Sequence, residues 1–361
     1  MQLLALQLEN FRNYEDLQID LVDGESLALI GQNAQGKTNL LESIAFLALG
    51  KSFRTRHSME SLTWDRPHGR IRGTIASREA QDQTKLEVFF QRSPEMRKVK
   101  KQDQIVTPKN FLGSLRVVIF TPDDMQLISG SPSLRRQYMD RTLIQLDRQY
   151  LESFATYQKL LKQRNALLKQ IQQRVSKEWE LDMWDARLVT EAEVIWQKRE
   201  AFIRYLCSVL RDFYKQISGN EENLFLRYNS QQERFAERLT AHRESDIRSG
   251  ATSIGPHRDD FTLLLDDRDL AEFGSRGECR SAVLSLKLAE IHYIEKQSKS
   301  RPLLLLDDVF SELDTSRREK LSALLQGYQS IITTTCADHV SALKNTKIYE
   351  VAGGSLTEVK S

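Results

Sequence analysis

Apolar and polar residues alternate over residues 3–8 and 17–21, and a short apolar run over 26–30 stops at Gly31. A period of two puts alternate side chains on one face, so these three stretches are predicted strands. Beyond a glycine-rich turn the period changes. Leu40, Leu41, Ile44, Leu47 and Ala48 recur at helical spacing within residues 39–49, which predicts strand, loop and helix in succession. Further short strands are expected between residues 71 and 120, among them 85–90 and 115–120, with a turn at Arg92, Ser93 and Pro94.

The middle of the chain reads differently. Ser131 and Pro132 form a helix-start pair, a capping hydroxyl followed by proline at the first helical position. Helix is expected from there to about residue 217. Phe154, Leu161, Leu168 and Ile171, then Trp184, Leu188, Ile195, Phe202, Leu206 and Phe213, predict two amphipathic helices folded as a hairpin around a break near Ser176. At about 1.5 Å per residue an arm of about 30 residues reaches about 45 Å, a lobe and not a long coiled coil. Strand patterning resumes over 224–228 and 260–265. No internal repeat is present.

Composition narrows the class. The 361 residues carry 52 Lys+Arg against 50 Asp+Glu, a net charge of +2, with 40% hydrophobic and 28% charged residues. Such a chain is expected to form two or three domains around cores that need no metal or disulfide staple. The three cysteines, Cys207, Cys279 and Cys336, include no CxxC pair, which argues against a structural zinc site and for a reducing cytoplasm. The opening residues lack a basic n-region and their apolar stretch is broken by Gln7, Glu9 and Arg12, so no signal peptide is expected. Nor does any run approach the roughly 18 apolar residues of a membrane span.

Chemistry concentrates in one loop. Gly31, Gln32, Asn33, Ala34, Gln35, Gly36, Lys37 and Thr38 satisfy G-x-x-x-x-G-K-[ST], a pattern that chance places in about one chain of this length in a hundred. The flanking strand and helix supply its required context, with backbone N–H groups and the positive helix end facing a phosphate. Lys37 is expected to reach the outer phosphates of ATP and the Thr38 hydroxyl to meet Mg²⁺. Such a loop demands an acidic residue at the end of a second apolar strand, and Leu303 to Leu306 followed by Asp307 and Asp308 answers to it. Asp307 would hold the metal, and Asp308 would orient or deprotonate the attacking water. The nucleotide-binding domain is therefore α/β and assembled from both ends of the chain, residues 1–120 and 247–361, around an inserted helical lobe, residues 121–246.

Ser311, Glu312, Leu313 and Asp314, just after the acidic strand, resemble the D-loop of ABC and SMC ATPases, and Phe273 to Glu278 resemble their signature loop. Further stretches resemble the RecF family of bacterial recombination mediators over nearly the whole chain: Asn10-Phe11-Arg12-Asn13-Tyr14, Lys51-Ser52-Phe53-Arg54, Phe120-Thr121-Pro122-Asp123-Asp124, Leu161-Lys162-Gln163-Arg164-Asn165 and Gly255-Pro256-His257-Arg258-Asp259-Asp260. The resemblance implies an ABC/SMC-type head that dimerises around ATP, with Ser275 and the Gly277 N–H reaching the γ-phosphate in trans. It further implies a DNA-binding mediator acting with RecR and RecO to load RecA at gapped DNA, in repair, replication restart and SOS induction. Two departures imply weak hydrolysis. Glu278 and Cys279 stand where the family usually has Gln-Gln, and Thr333-Thr334-Thr335-Cys336 stand where many ABC ATPases carry a switch histidine; His339 comes later and reads as a surface residue. His257 is given no chemical role.

A net charge of +2 does not announce a nucleic-acid partner, but local clusters offer one. Lys51, Arg54 and Arg56 with His57 follow the loop's helix; Arg97, Lys98, Lys100 and Lys101 lie in a strand-turn region; Lys159, Lys162, Arg164 and Lys169 lie on a helix. Lys51, Arg54 and Arg56 are the first candidates for contact with gapped, double-stranded or junction DNA. Two other readings stand beside this one: the ATPase subunit of a membrane transporter, and a metabolic P-loop kinase.

Overall fold

The helix Lys37–Leu49 is apolar on almost every side, and only burial between two layers accommodates such a helix. It lies between two six-stranded sheets. One is antiparallel, in the order β2 (Tyr14–Asp20), β1 (Gln2–Phe11), β4 (His68–Ala76), β5 (Gln83–Gln91), β6 (Met96–Lys101) and β7 (Gln104–Val106). In the other, β3 (Ser26–Ile30) is the strand that enters the phosphate loop, and β8 (Val117–Phe120) forms an edge. Between the helix and the antiparallel sheet, Phe46 meets Phe11 and Phe90 edge-on, at ring-centroid distances of 5.8 and 5.2 Å. Each such pair adds about 0.5–1.5 kcal/mol beyond the area it buries.

The computed structural model describes residues 1–22, 24–55, 57–76, 82–340 and 345–359, the side chain of His339 excepted. The chain divides into two compact units. The first comprises Met1–Asp124, Gln216–Ser218 and Lys287–Ser361, and the second Met125–Lys215 and Gly219–Leu286. The second unit holds a three-stranded antiparallel sheet of β9 (Leu224–Asn229), β10 (Asp260–Leu265) and β11 (Arg268–Asp269). The first unit resumes with β12 (Leu303–Asp307), β13 (Ser330–Thr334), β14 (Thr346–Ala352) and β15 (Ser355–Glu358). Its second sheet then runs β15-β14-β3-β13-β12-β8, parallel throughout except for the β14–β15 hairpin.

Three α-helices cover most of residues 132–218: Pro132–Leu146, which begins at the expected Ser131–Pro132 start, and then the expected pair, Arg148–Gln172 and Leu181–Ser218. The last has 38 residues and spans about 57 Å, longer than the arm expected from sequence. The expected break near Ser176 falls between the second and third. The lobe, expected to close at residue 246, extends to Leu286 as a compact unit. The physical reason lies in β10, which pairs with β9 and carries Asp260, bound by Arg135 at 2.6 and 2.9 Å. Within Arg148–Gln172 the buried face holds Tyr150, Ser153, Tyr157, Leu160, Arg164, Leu167 and Leu168; Leu168 is buried as expected, whereas the earlier part of the face lies one position before Phe154 and Leu161. Arg164 sits on that face fully buried because two carboxylates and a hydroxyl meet it there. Asp185 lies at 2.6 Å, Asp246 at 2.8 Å and Thr252 Oγ1 at 2.8 Å.

Candidate nucleotide site and signature loop

Residues 31–38 connect β3 to the helix Lys37–Leu49. The Leu40 N–H makes the first turn's bond to the Gly36 carbonyl, which leaves the N–H groups of Lys37, Thr38 and Asn39 without intrahelical acceptors. Gly36 takes a φ of +115°, and a Cβ there would lie 2.5 Å from Asn13 Nδ2, so no larger residue fits. Lys37, 7% exposed, turns back into the loop and donates through Nζ to the carbonyls of Gly31 (2.5 Å) and Gln32 (2.8 Å). Burial pushes its pKa below the ordinary lysine value, against the opposing pull of the Asp308 and Asp307 carboxylates.

The two ends of the chain meet at Thr38. Its hydroxyl lies 2.8 and 3.0 Å from the two carboxylate oxygens of Asp307, at the end of β12. Thr333 on β13 fixes this carboxylate from the other side. Its hydroxyl donates to Asp307 at 2.7 Å and accepts the Asp308 N–H at 2.9 Å. In the sequence, residues 333–336 mark only the place of a missing histidine; the role of Thr333 needs the adjacent parallel strand that sets its hydroxyl beside two acids. Asp308 leaves the strand with a φ of +50°, an uncommon conformation for a residue with a side chain, and its carboxylate accepts from the Ser311 hydroxyl. Hydroxyl and carboxylate oxygens already in contact are a donor pair suited to a hard cation, and Lys37 with the free helix N–H groups suits phosphate. The residues therefore fit ATP and Mg²⁺.

Ser275 and Gly277 belong to the second unit, at the start of the helix Arg276–Ser298. Here Ser275-x-x-Glu278 forms a capping box. The Ser275 N–H donates to Glu278 Oε2 at 2.7 Å and the Glu278 N–H to Ser275 Oγ at 3.3 Å. The Ser275 hydrogen bonds hold the Glu278 carboxyl below the ordinary glutamate value. The S-x-x-E spacing was legible in the sequence and marks the helix start.

Elsewhere in the second unit, His257 is neutral and internally bonded. Its Nε2 lies 3.0 Å from the Thr252 carbonyl, which can only accept, so Nε2 carries the proton and Nδ1 accepts from the Tyr157 hydroxyl at 2.7 Å. Burial pushes its pKa down to about 4.

The basic candidates separate. Lys51 and Arg54 are both exposed, but Arg54 donates to Asn39 Oδ1 at 2.8 Å and lies 3.5 Å from the buried carboxylate of Glu42. Glu42 also binds Arg12 at 2.8 and 3.0 Å and accepts from the Ser52 hydroxyl, tying the stretches around residues 10–14 and 51–54 to one helix. Arg56 lies outside the described residues. In the second cluster Lys100 pairs with Glu87 at 2.9 Å, and Arg97 donates to Ser58 at 3.0 Å.

Residues 2–355 match the family model described as RecF/RecN/SMC N terminal domain. The DNA replication and repair protein RecF of Lactococcus lactis subsp. lactis is 37% identical over 365 residues, covering 99% of each chain. That of Moorella thermoacetica is 38% identical over 360 residues, covering 98% of this chain and 96% of its own. A solved structure of the recombination mediator protein RecF-ATP in the RecFOR pathway superposes with a TM-score of 0.91 at 31% identity, covering 99% of this chain and 97% of the other. An SMC head bound to the C-winged helix domain of ScpA, at a TM-score of 0.59 and 14% identity, shares the fold. Among the described residues no helix is long and apolar enough to cross a membrane.

Proposed function

Because the chain belongs to the RecF/RecN/SMC N-terminal domain family and, within it, to RecF, we propose that it is an ATP-switched, DNA-binding recombination mediator of the cytoplasm. One observation carries the switch: Thr38 at the start of one helix touches Asp307 at the end of a strand 269 positions later. In this reading Gly31, Gln32, Asn33, Ala34, Gln35 and Gly36 wrap the phosphates of ATP, Lys37 pairs with the outer ones, and Thr38 with Asp307 holds Mg²⁺. Bound there, the metal would neutralise phosphate charge and fix the phosphate geometry. Asp308, hinged out of the strand, takes the proton of the attacking water. Ser275 and Gly277 of a second copy complete the site, so that ATP joins two heads and hydrolysis parts them. Weak ATPase activity follows from the two family departures, at Glu278 and Cys279 and at residues 333–336, where a switch histidine is missing.

Acting with RecR and RecO, the ATP-bound dimer promotes RecA loading at gapped DNA. Relatives named for DNA replication and repair support this reading, and none of the observations favours a transporter subunit or a metabolic kinase. A nearly neutral chain holds DNA through local basic surfaces, and joining two heads doubles them. ATP should therefore tighten DNA binding, and affinity should fall steeply with salt as phosphate contacts release counterions. Fluorescence anisotropy across a salt series, with and without ATP, tests this; equal affinity in both arms defeats the reading. Replacing Lys51, Arg54 and Arg56 together by Ala flattens the salt slope if that cluster takes part, and Arg54, already tied to Glu42, contributes least.

A further inference from the structure

Gln35, at the crown of the phosphate loop, is held from outside the loop by three donors. Its carbonyl accepts the Gly354 N–H at 3.2 Å and Asn13 Nδ2 at 3.0 Å, and its side-chain Oε1 accepts the Gly353 N–H at 2.7 Å. The neighbouring Gly36 carbonyl accepts the Tyr14 hydroxyl at 3.1 Å. At the loop's entry, a Cβ on Gly31 would lie 2.5 Å from the Val351 carbonyl oxygen on β14. Two hairpins thus grip the loop, β1–β2 through Asn13 and Tyr14 and β14–β15 through its turn.

That turn is built for the purpose. The Ala352–Ser355 pair closes it, leaving two central glycines with φ of +56° and +84°, as a two-residue type I′ turn requires. Its two N–H groups are spent on Gln35. The glycines are not equivalent, however. A Cβ at Gly353 meets nothing within 4 Å, whereas one at Gly354 would lie 2.3 Å from the Asn13 carbonyl oxygen. Turn geometry asks for glycine or asparagine at both positions; only the close approach to Asn13 demands glycine at the second.

We infer that the Gly353–Gly354 turn, with Asn13, is a brace that holds the phosphate loop in its binding shape before nucleotide arrives. These are positioning residues for ATP, lying outside the G-x-x-x-x-G-K-[ST] pattern and at opposite ends of the chain. A loop already shaped loses less freedom on binding, so the brace acts on nucleotide affinity. The inference rests on nucleotide binding by this loop.

The two glycines supply a matched test in the full-length chain. Gly353→Asn creates the favoured Asn-Gly turn, adds a side chain into open space and keeps both N–H donors. Gly354→Asn keeps a permissible turn but drives its Cβ into Asn13. Titration with a fluorescent ATP analogue should give parental affinity for Gly353→Asn and about tenfold weaker binding for Gly354→Asn. Hydrogen exchange of amides 32–38, measured without nucleotide, should quicken only in the second. Parental affinity and exchange in a folded Gly354→Asn protein, or equal losses in both variants, overturn the brace. Should Gly354→Asn fail to fold, Gln35→Ala decides, because it deletes one acceptor and adds no atoms. About threefold weaker binding with faster loop exchange supports the brace, and parental values reject it. If the parent itself binds no nucleotide, the assignment of the loop falls, while the nucleotide-free exchange still reads the brace.

Discussion

Thr38 and Asp307 stand 2.8 Å apart at the meeting of a helix start and a strand end, and Lys37 is folded beside them onto the carbonyls of its own loop. The cation is held in place by main-chain oxygens, and in the proposed reading it exchanges them for phosphate. Lys37→Met should therefore weaken ATP binding by about 10–100-fold, the worth of a charge-assisted hydrogen bond, without unfolding the chain. Equilibrium titration, paired with a thermal melt, reads both. Unchanged affinity would show that the loop is not the nucleotide site.

Asp308→Asn separates binding from cleavage. In the proposed reading Thr38 and Asp307 remain to hold metal, while the group assigned to take the water's proton is gone. Hydrolysis should slow by about 100-fold or more, and the ATP-bound dimer should persist longer in light scattering. A parental turnover rate removes Asp308 from the chemistry.

Shared sites make an asymmetric forecast. Lys37→Met and Ser275→Arg variants should each be inactive alone, the first for lack of phosphate binding and the second because a large cation displaces the capping box that opens the helix Arg276–Ser298. Mixed in equal amounts they can form dimers with one intact composite site. Partial recovery of ATPase activity is expected, and a mixture no better than its parts argues against assembly in trans.

His257 links stability to pH. Its folded pKa of about 4 lies below the ordinary 6.5, so between these values the unfolded chain binds a proton that the folded chain excludes. Stability then rises with pH across that window and is lost as pH falls from 6.5 toward 4. Lowering the pH from 6.5 to about 5 should cost about 2 kcal/mol through this group. Urea unfolding of the parent and of His257→Gln at both pH values isolates the effect. An equal loss in the two proteins would assign the pH dependence elsewhere.

What the sequence revealed and what it hid follow from distance along the chain. The phosphate loop, the strand ending at Asp307 and the helix from Lys37 were legible because each is a contiguous pattern. The second and third helices of the lobe were legible as periodicity, and Leu168, Leu188, Ile195, Phe202 and Leu206 are buried where it placed them; only around Phe154 and Leu161 was the face one position off, where Arg164 joins it and an arginine does not register as core. Its partners Asp185, Asp246 and Thr252 lie 21 to 88 positions away, so nothing local announces them. The same holds for Glu42, whose buried charge on the helix Lys37–Leu49 is answered by Arg12 from the turn of the β1–β2 hairpin. The lobe's extension past residue 246 depends on the Arg135–Asp260 pair, 125 positions apart. Thr333 is a case of missing context, since its role needs the register of β13 against β12.

Strand order also dictates when this protein can begin to work. β3, which delivers the phosphate loop, has β13 on one side and β14 on the other, so both neighbours are translated some 300 residues after it. At about 10 residues per second, the apolar stretch Leu27, Ala28, Leu29 and Ile30 waits about 30 seconds on the ribosome with neither edge paired. The antiparallel sheet and the lobe can form meanwhile, but the nucleotide site is among the last parts to close. A nascent chain released before β14 would expose a sticky strand edge and carry no grip for ATP, which makes complete synthesis a condition of the switch.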